Sequence, residues 1–128
     1  MDNRVLIVDD NPETILHFRL SFDEKERKNI DFSLSGKDAL SRLKSSQYDK
    51  VITDFRLNDE QFDGLMVLQA AKKAGVAVRI LITAVSTEIM LAGTSITNAI
   101  RKPCDTDMIR EMTLTDKWDN APKQYVSF

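Results

Sequence analysis

Three carboxylates, a hydroxyl and an ammonium each follow an apolar run in this chain. Val5-Leu6-Ile7-Val8 leads into Asp9 and Asp10, Val51-Ile52-Thr53 into Asp54, Ile80-Leu81-Ile82 into Thr83, and Ile96 to Arg101 into Lys102. Short, nearly unbroken apolar runs read as strands buried on both faces, so these polar groups fall together at one edge of a sheet. Clustered carboxylates repel one another, and one of them would ordinarily keep its proton. A divalent cation removes that problem. Mg²⁺ takes oxygen ligands, keeps several waters and binds through a few carboxylates plus phosphate. Asp10 and Asp54 are the expected direct ligands, Asp9 the expected ligand through a water, and the backbone carbonyl of Arg56 a further oxygen. With Lys102 present, the formal charges of acids, metal and lysine cancel, and a dianionic phosphoryl group meets no net repulsive field.

Asp54 is the expected nucleophile, since carboxylates form acyl-phosphates in some transferases and ATPases. Metal and Lys102 would spread the charge of the three equatorial oxygens, which is most of what such a site must do. Thr83 would donate its hydroxyl to one of those oxygens. A phosphorylated state would then draw Thr83 and Lys102 inward, a local charge change read out through nearby backbone.

The elements that hold these groups alternate between strand and helix patterns five times. Val5–Val8, Val51–Thr53 and Ile80–Ile82 are nearly unbroken apolar runs, whereas Ile30, Phe32 and Leu34 alternate with polar residues and Ile96–Arg101 is half polar. Strands one, three and four are therefore central, and two and five are edges. Asn11 is placed to cap a helix with Pro12 at its first position, with Ile15, Phe18 and Phe22 on one face beside Leu16 and Leu20. Ser35 and Asp38 resemble a capping box ahead of Ala39, Leu40 and Leu43. Asp63 caps a helix carrying Leu65 and Leu68 that Gly75 ends. Asp105 caps the last helix, with Met108, Ile109 and Met112 inward. Asp23 to Lys28 reads as a solvated helix end and loop. Ser86 to Thr97 holds one or two helical turns and then irregular chain. Strand–helix alternation implies right-handed crossovers and a parallel sheet. The placing of the edges gives the flavodoxin-like, doubly wound order 2-1-3-4-5, whose switch point lies between strands one and three. The acids fall at that switch point.

Composition bounds the rest. A chain of 128 residues with 42% hydrophobic content makes one ordinary domain with a real core. A net charge of -2 gives no electrostatic case for nucleic acid or an anionic membrane. The single cysteine, Cys104, leaves no internal disulfide and fits a reducing compartment. No apolar run approaches the ~20 residues of a membrane span, and Met1 to Arg4 lacks a signal-peptide pattern. A cytoplasmic protein is the expectation, with a domain over 1–118 and a C-terminal tail or linker start over 119–128. His17 reads as structural or surface with no ligand role, the five methionines as core filler, Trp118 as packing the last helix or lying at a partner surface, and Cys104 as an unreactive thiol beside the site.

The chain resembles a response-regulator receiver domain of two-component signalling from about Arg4 to Trp118. The matching motifs are Val5-Leu6-Ile7-Val8-Asp9-Asp10, Val51-Ile52-Thr53-Asp54, Asp63-Gly64, Leu81-Ile82-Thr83-Ala84 and Arg101-Lys102-Pro103. The resemblance implies that Asp54 is the phosphoacceptor, supplied by a sensor histidine kinase or a histidine phosphotransfer protein. It implies that Asp9 and Asp10 form the acidic pocket, that Thr83 is the switch hydroxyl and that Lys102 is the phosphate partner. It also implies a cis bond before Pro103. The stretch from Asp54 to Asp63-Gly64 is slightly longer than usual in that family and lacks its Met-Pro. The segment between Thr83 and Lys102 is shorter by roughly one helical turn, which implies a stunted fourth helix. Ala99 stands where the family usually has a switching Tyr or Phe.

Three functions compete at this stage. The leading one is a phosphorylation-controlled receiver that turns over no external substrate, needs Mg²⁺ and acts on an unknown downstream effector. The second is an interaction module on the same fold, indifferent to phosphorylation. The third is a haloacid-dehalogenase-like phosphatase, disfavoured because that family places its nucleophile after the first strand and its acidic pair late. Neither a helix-turn-helix nor a basic patch points to direct contact with nucleic acid. Pairing with a second copy is left open. For Arg56 the alternatives are a solvated loop side chain or a shield over the acyl-phosphate.

Overall fold

Val5, Leu6, Ile7 and Val8 are at most 2% exposed, as an unbroken apolar run in mid-sheet must be. They form β1, Val5–Val8. The computed structural model describes residues 3–59 and 61–120. Residues 121–128, which include Pro122 and most of the expected tail, lie outside the described residues. After β1 come α1 (Pro12–Ser21), α2 (Glu24–Arg27), β2 (Ile30–Ser33), α3 (Gly36–Ser45), β3 (Lys50–Asp54) and α4 (Gly64–Lys73). Then follow β4 (Val78–Thr83), α5 (Ser86–Ala92), a 3₁₀ turn (Gly93–Ser95), β5 (Asn98–Arg101) and α6 (Thr106–Leu114). The five strands are parallel and run in the order β2-β1-β3-β4-β5. This is the flavodoxin-like doubly wound sheet that the alternation predicts.

Side chains of successive strand residues alternate between the two faces. Val5 and Ile7 join Ile15, Phe18, Ile52, Ile80, Ile109 and Met112, so α1 and α6 cover one face. Leu6 and Val8 join Ala39, Leu43, Val51, Val67 and Ala71, so α3 and α4 cover the other. A smaller cluster of Leu68, Leu81, Ala92 and Ala99 seats α5. Truncating a fully buried member such as Ile52 would cost about 2–5 kcal/mol, which sets how firmly the strand ends are held.

Caps fix where the helices start. Asn11 accepts from the amides of Glu13 and Thr14, with Pro12 at the first helical position. Asp63 accepts from Met66 N and Asp105 from Met108 N. Ser35 caps α3, but only half of the expected box forms: Asp38 turns to the Ser33 hydroxyl and to Arg42 instead of back to Ser35. Gly75 follows α4 with φ +84°, a left-handed conformation that glycine adopts without strain.

Five local expectations change. Asp23 to Lys28 is a separate short helix, α2, with a complete capping box between Asp23 and Glu26. It is held because Arg110 of α6 grips both carboxylate oxygens of Glu26. β2 ends at Ser33, and Leu34 is exposed. β5 starts at Asn98, and Phe22 lies just past α1. Leu16 and Leu20 face outward at 52% and 68% exposure. Among the described residues no helix is long and apolar enough to cross a membrane.

Candidate functional site

The carboxyl ends of the central strands are level. Val8 pairs with Thr53, Asp54 with Ile82, and Thr83 with Arg101. Asp9 therefore follows β1 at the height where β3 ends in Asp54, and Lys102 follows β5 beside them. The backbone amide of Lys102 donates to the Thr83 carbonyl at 3.0 Å, which ties the ends of β4 and β5 together.

One oxygen from each of Asp9, Asp10 and Asp54 lies within 4.8 Å of the others. Oxygens bound at about 2.1 Å to one octahedral cation lie at most about 4.2 Å apart, so the three fit a small hard cation after modest side-chain movement. Lys102 Nζ lies 2.8 Å from Asp54 Oδ2, and the other Asp54 oxygen accepts from the Phe55 amide at 3.0 Å. Asp9 Oδ1 accepts from Asn11 N at 2.9 Å, so the turn that begins α1 also orients the acid.

The electrostatics follow from this crowding. Burial raises the Asp9 carboxyl above the ordinary range. The Asn11 amide opposes that rise, the charges of Asp54 and Asp10 add to it, and Lys102 offsets part of it. For Lys102, burial alone would lower the pKa. The hydrogen bond to Asp54, with the charges of Asp54, Asp9 and Asp10, outweighs burial and holds it above its usual value. The ammonium thus keeps its charge to higher pH than an ordinary lysine because of the acids it faces.

Gly64 permits the loop after Asp54 to close. A Cβ built there would sit 2.0 Å from the Asp54 carbonyl oxygen and 2.7 Å from Phe55 Cα, so only glycine lets α4 begin against the site. The Lys102–Pro103 peptide bond is cis. A cavity of about 570 Å³ opens below the acids, lined by Asp9, Asp54, Lys102, Phe18, Ile82 and Cys104 among others. Burial, aided by the Asp105 charge, pushes the Cys104 thiol up to about 11, against a smaller opposing pull from Lys102.

Asp9, Asp10, Asp54 and Lys102 thus come together. The Thr83 hydroxyl instead turns toward α5, and the Arg56 side chain is largely exposed, in line with the solvated alternative. Thr83 ends β4 and is 2% exposed, but its hydroxyl donates to Oε1 of Glu88 and accepts from Val85 N at 3.1 Å. Arg56 has a largely exposed side chain whose Nε donates to Glu88 Oε2 at 2.9 Å. Glu88, only 5% exposed, was not singled out in the sequence. One signal was present. A Glu three residues after Val85 stands where it would ordinarily reach back to its helix's cap amide. Here the Thr83 hydroxyl already occupies that amide, and Glu88 turns inward. Ala99, 4% exposed, packs with Leu81 and Ala92 beneath α5.

Residues 5–114 match the family described as the response regulator receiver domain. No curated protein matches the chain. Solved structures resemble it at low identity. One is a CheY-like response regulator receiver domain protein from Methanospirillum hungatei, 21% identical, with a TM-score of 0.70, covering 88% of this chain and 90% of that one. Another is the receiver domain of a sensor histidine kinase from Pseudomonas aeruginosa, 18% identical, with a TM-score of 0.65 and coverage of 92% and 98%. That structure has a magnesium ion coordinated in its active-site cleft. The RcsB response regulator of Salmonella typhimurium is 18% identical, with a TM-score of 0.66 over 99% of this chain. This chain spans 65% of that longer one. At these identities the likeness speaks for the fold.

Proposed function

Because the chain belongs to the response regulator receiver family, we propose that it is a phosphorylation-controlled receiver that takes a phosphoryl group onto Asp54. The observation that carries this reading is the contact of Lys102 Nζ with Asp54 Oδ2 at 2.8 Å beside the Asp9–Asp10–Asp54 oxygen cluster. The donor is a sensor histidine kinase or a histidine phosphotransfer protein. The chain turns over no external substrate and acts in the cytoplasm on a downstream effector. The receiver unit is 1–118, and 119–128 is a tail or linker start.

Asp10 and Asp54 would hold Mg²⁺ directly and Asp9 through a water, and the Arg56 carbonyl would complete the protein's share. Such an ion would supply charge that screens the carboxylates from an incoming dianion and offsets charge on the phosphoryl oxygens. The Asp54 carboxylate attacks phosphorus: an O–P bond forms, the N–P bond of the donor phosphohistidine breaks, and its electron pair leaves with the imidazole. Lys102, held charged by the acids, moves from the Asp54 oxygen to a phosphoryl oxygen. The Phe55 amide keeps the carboxylate oriented for in-line attack.

Incubation with Mg²⁺ and acetyl phosphate should label the wild type and leave Asp54→Asn unlabelled. An unlabelled wild type, or equal labelling of both, would overturn the reading. The engaged Thr83 hydroxyl and Ala99 favour one second reading, an interaction module on the same fold. That module would bind its partner equally with or without Mg²⁺ and with Asp54→Asn.

A further inference from the structure

Thr83 has one hydroxyl proton, and the structure commits it to Glu88. A threonine hydroxyl donates one hydrogen bond and accepts others, and here the Val85 amide already takes an acceptor position. The hydroxyl therefore cannot serve a phosphoryl oxygen on Asp54 and the Glu88 carboxylate together. Among the described residues that line the cavity below the acids, Ala84 is present and Thr83 is not, which agrees with a hydroxyl turned toward α5. Glu88 is a carboxylate 5% exposed with two donors, Thr83 Oγ1 and Arg56 Nε. Losing one donor leaves Arg56 as its remaining partner.

We propose that Glu88 is a positioning residue that holds the Thr83 hydroxyl away from Asp54, and that phosphorylation competes with it for that one proton. The device rests on the receiver reading above. Its parts are a hydroxyl at the end of β4, a carboxylate in the first turn of α5 and a guanidinium two residues past the phosphoacceptor. When the hydroxyl swings to the phosphoryl group, Glu88 shifts toward Arg56. Both line a groove of about 560 Å³ between residues 55–59 and α5, which also includes Leu91. The state of Asp54 is thereby written onto that surface without an aromatic ring at position 99.

The test is the affinity of the full chain for beryllium fluoride, a phosphoryl mimic, with saturating Mg²⁺, measured by calorimetry. Glu88→Ala frees the donor and should tighten binding about tenfold, the scale of one hydrogen bond to a charged acceptor. Glu88→Gln, which keeps the volume and a weaker acceptor, should give an intermediate gain of about threefold and carries the test if the alanine variant does not fold. Arg56→Ala should weaken binding by about twofold to threefold, and only while Glu88 is present. In a Thr83→Ala background the Glu88 substitutions should change nothing. A gain that persists without Thr83 would mean simple removal of a negative charge and would overturn the proposal. So would wild-type or weaker affinity in both Glu88 variants. Absence of binding in the wild type would instead sink the receiver reading, and the competition with it.

Discussion

Asp10→Asn isolates the repulsion at the heart of the site. Asp10 has no side-chain hydrogen bond among the described residues, whereas Asp9 holds the Asn11 amide and Asp54 holds Phe55 N and Lys102. The substitution therefore removes a charge with little loss of structure. At the 4.8 Å limit of the cluster, each like-charge pair is worth about 3.5 kcal/mol at an effective dielectric near 20 and about 0.9 kcal/mol in water. Two repulsions, with Asp9 and Asp54, against one attraction to Lys102 leave about one net repulsion. Partial exposure places it near 1.5 kcal/mol. The lost charge at the start of α1 takes back about 0.5 kcal/mol. Metal-free Asp10→Asn should thus be more stable by about 1 kcal/mol, a rise in Tm of about 3–4 °C for a domain of this size. Mg²⁺ should reverse the order. At a hundredfold excess over Kd it stabilises the wild type by about 2.7 kcal/mol, or about 10 °C, and the variant by much less. Differential scanning calorimetry in EDTA and then in Mg²⁺ reads both effects. A lower Tm for the metal-free variant, or a full Mg²⁺ shift in it, would refute the electrostatic reasoning.

Other perturbations have equally definite outcomes. Gly64→Ala forces a methyl against the backbone of Asp54 and Phe55. It should cost about 2 kcal/mol or more in urea denaturation, and a wild-type midpoint would show that the loop yields freely. The Lys50 ammonium is buried, donates to the carbonyls of Met112 and Thr115 and lies 2.6 Å from Asp119. Lys50→Met should cost about 3 kcal/mol and speed hydrogen exchange in the last turn of α6, whereas unchanged exchange there would argue against that clasp. Cys104, with its thiol pushed up to about 11, should react with iodoacetamide about a hundredfold more slowly at pH 7.5 than an unperturbed thiol. Because folding favours the neutral thiol, its contribution to stability is present below the unfolded pKa and is lost as pH rises toward 11. Alkylation at the rate of a free thiol would contradict this placement.

Much of the fold was legible because its signals are local. β1 and the centre of β4 announce themselves as unbroken apolar runs, and Asn11-Pro12, Asp63 and Asp105 each start a helix as their chemistry dictates. Asp9, Asp10, Asp54 and Lys102 could be brought together from sequence because the topology fixes which strand ends meet. What escaped depends on partners far along the chain. Asp23 and Glu26 carry a capping-box pattern, but no apolar stripe follows, and only Arg110 shows why that turn persists. Lys50 looks like a solvated residue before a strand, while its carbonyl partners lie 62 and 65 residues away. The sequence points Thr83 toward the phosphoryl site, because the spacing of Glu88 from Val85 signals a helix cap and not a partner for the Thr83 hydroxyl. The expectation of a short helix followed by irregular chain over Ser86 to Thr97 agrees with the seven-residue α5 and its 3₁₀ turn.

The most direct measurement captures the acyl-phosphate where it forms. The chain is incubated with Mg²⁺ and acetyl phosphate, reduced with borohydride, which converts an aspartyl phosphate to homoserine, and mapped by peptide mass spectrometry. Homoserine at position 54, absent when Mg²⁺ is chelated and absent in Lys102→Ala, is the predicted result. Homoserine at another aspartate, or none at position 54 with Mg²⁺ present, would contradict the account.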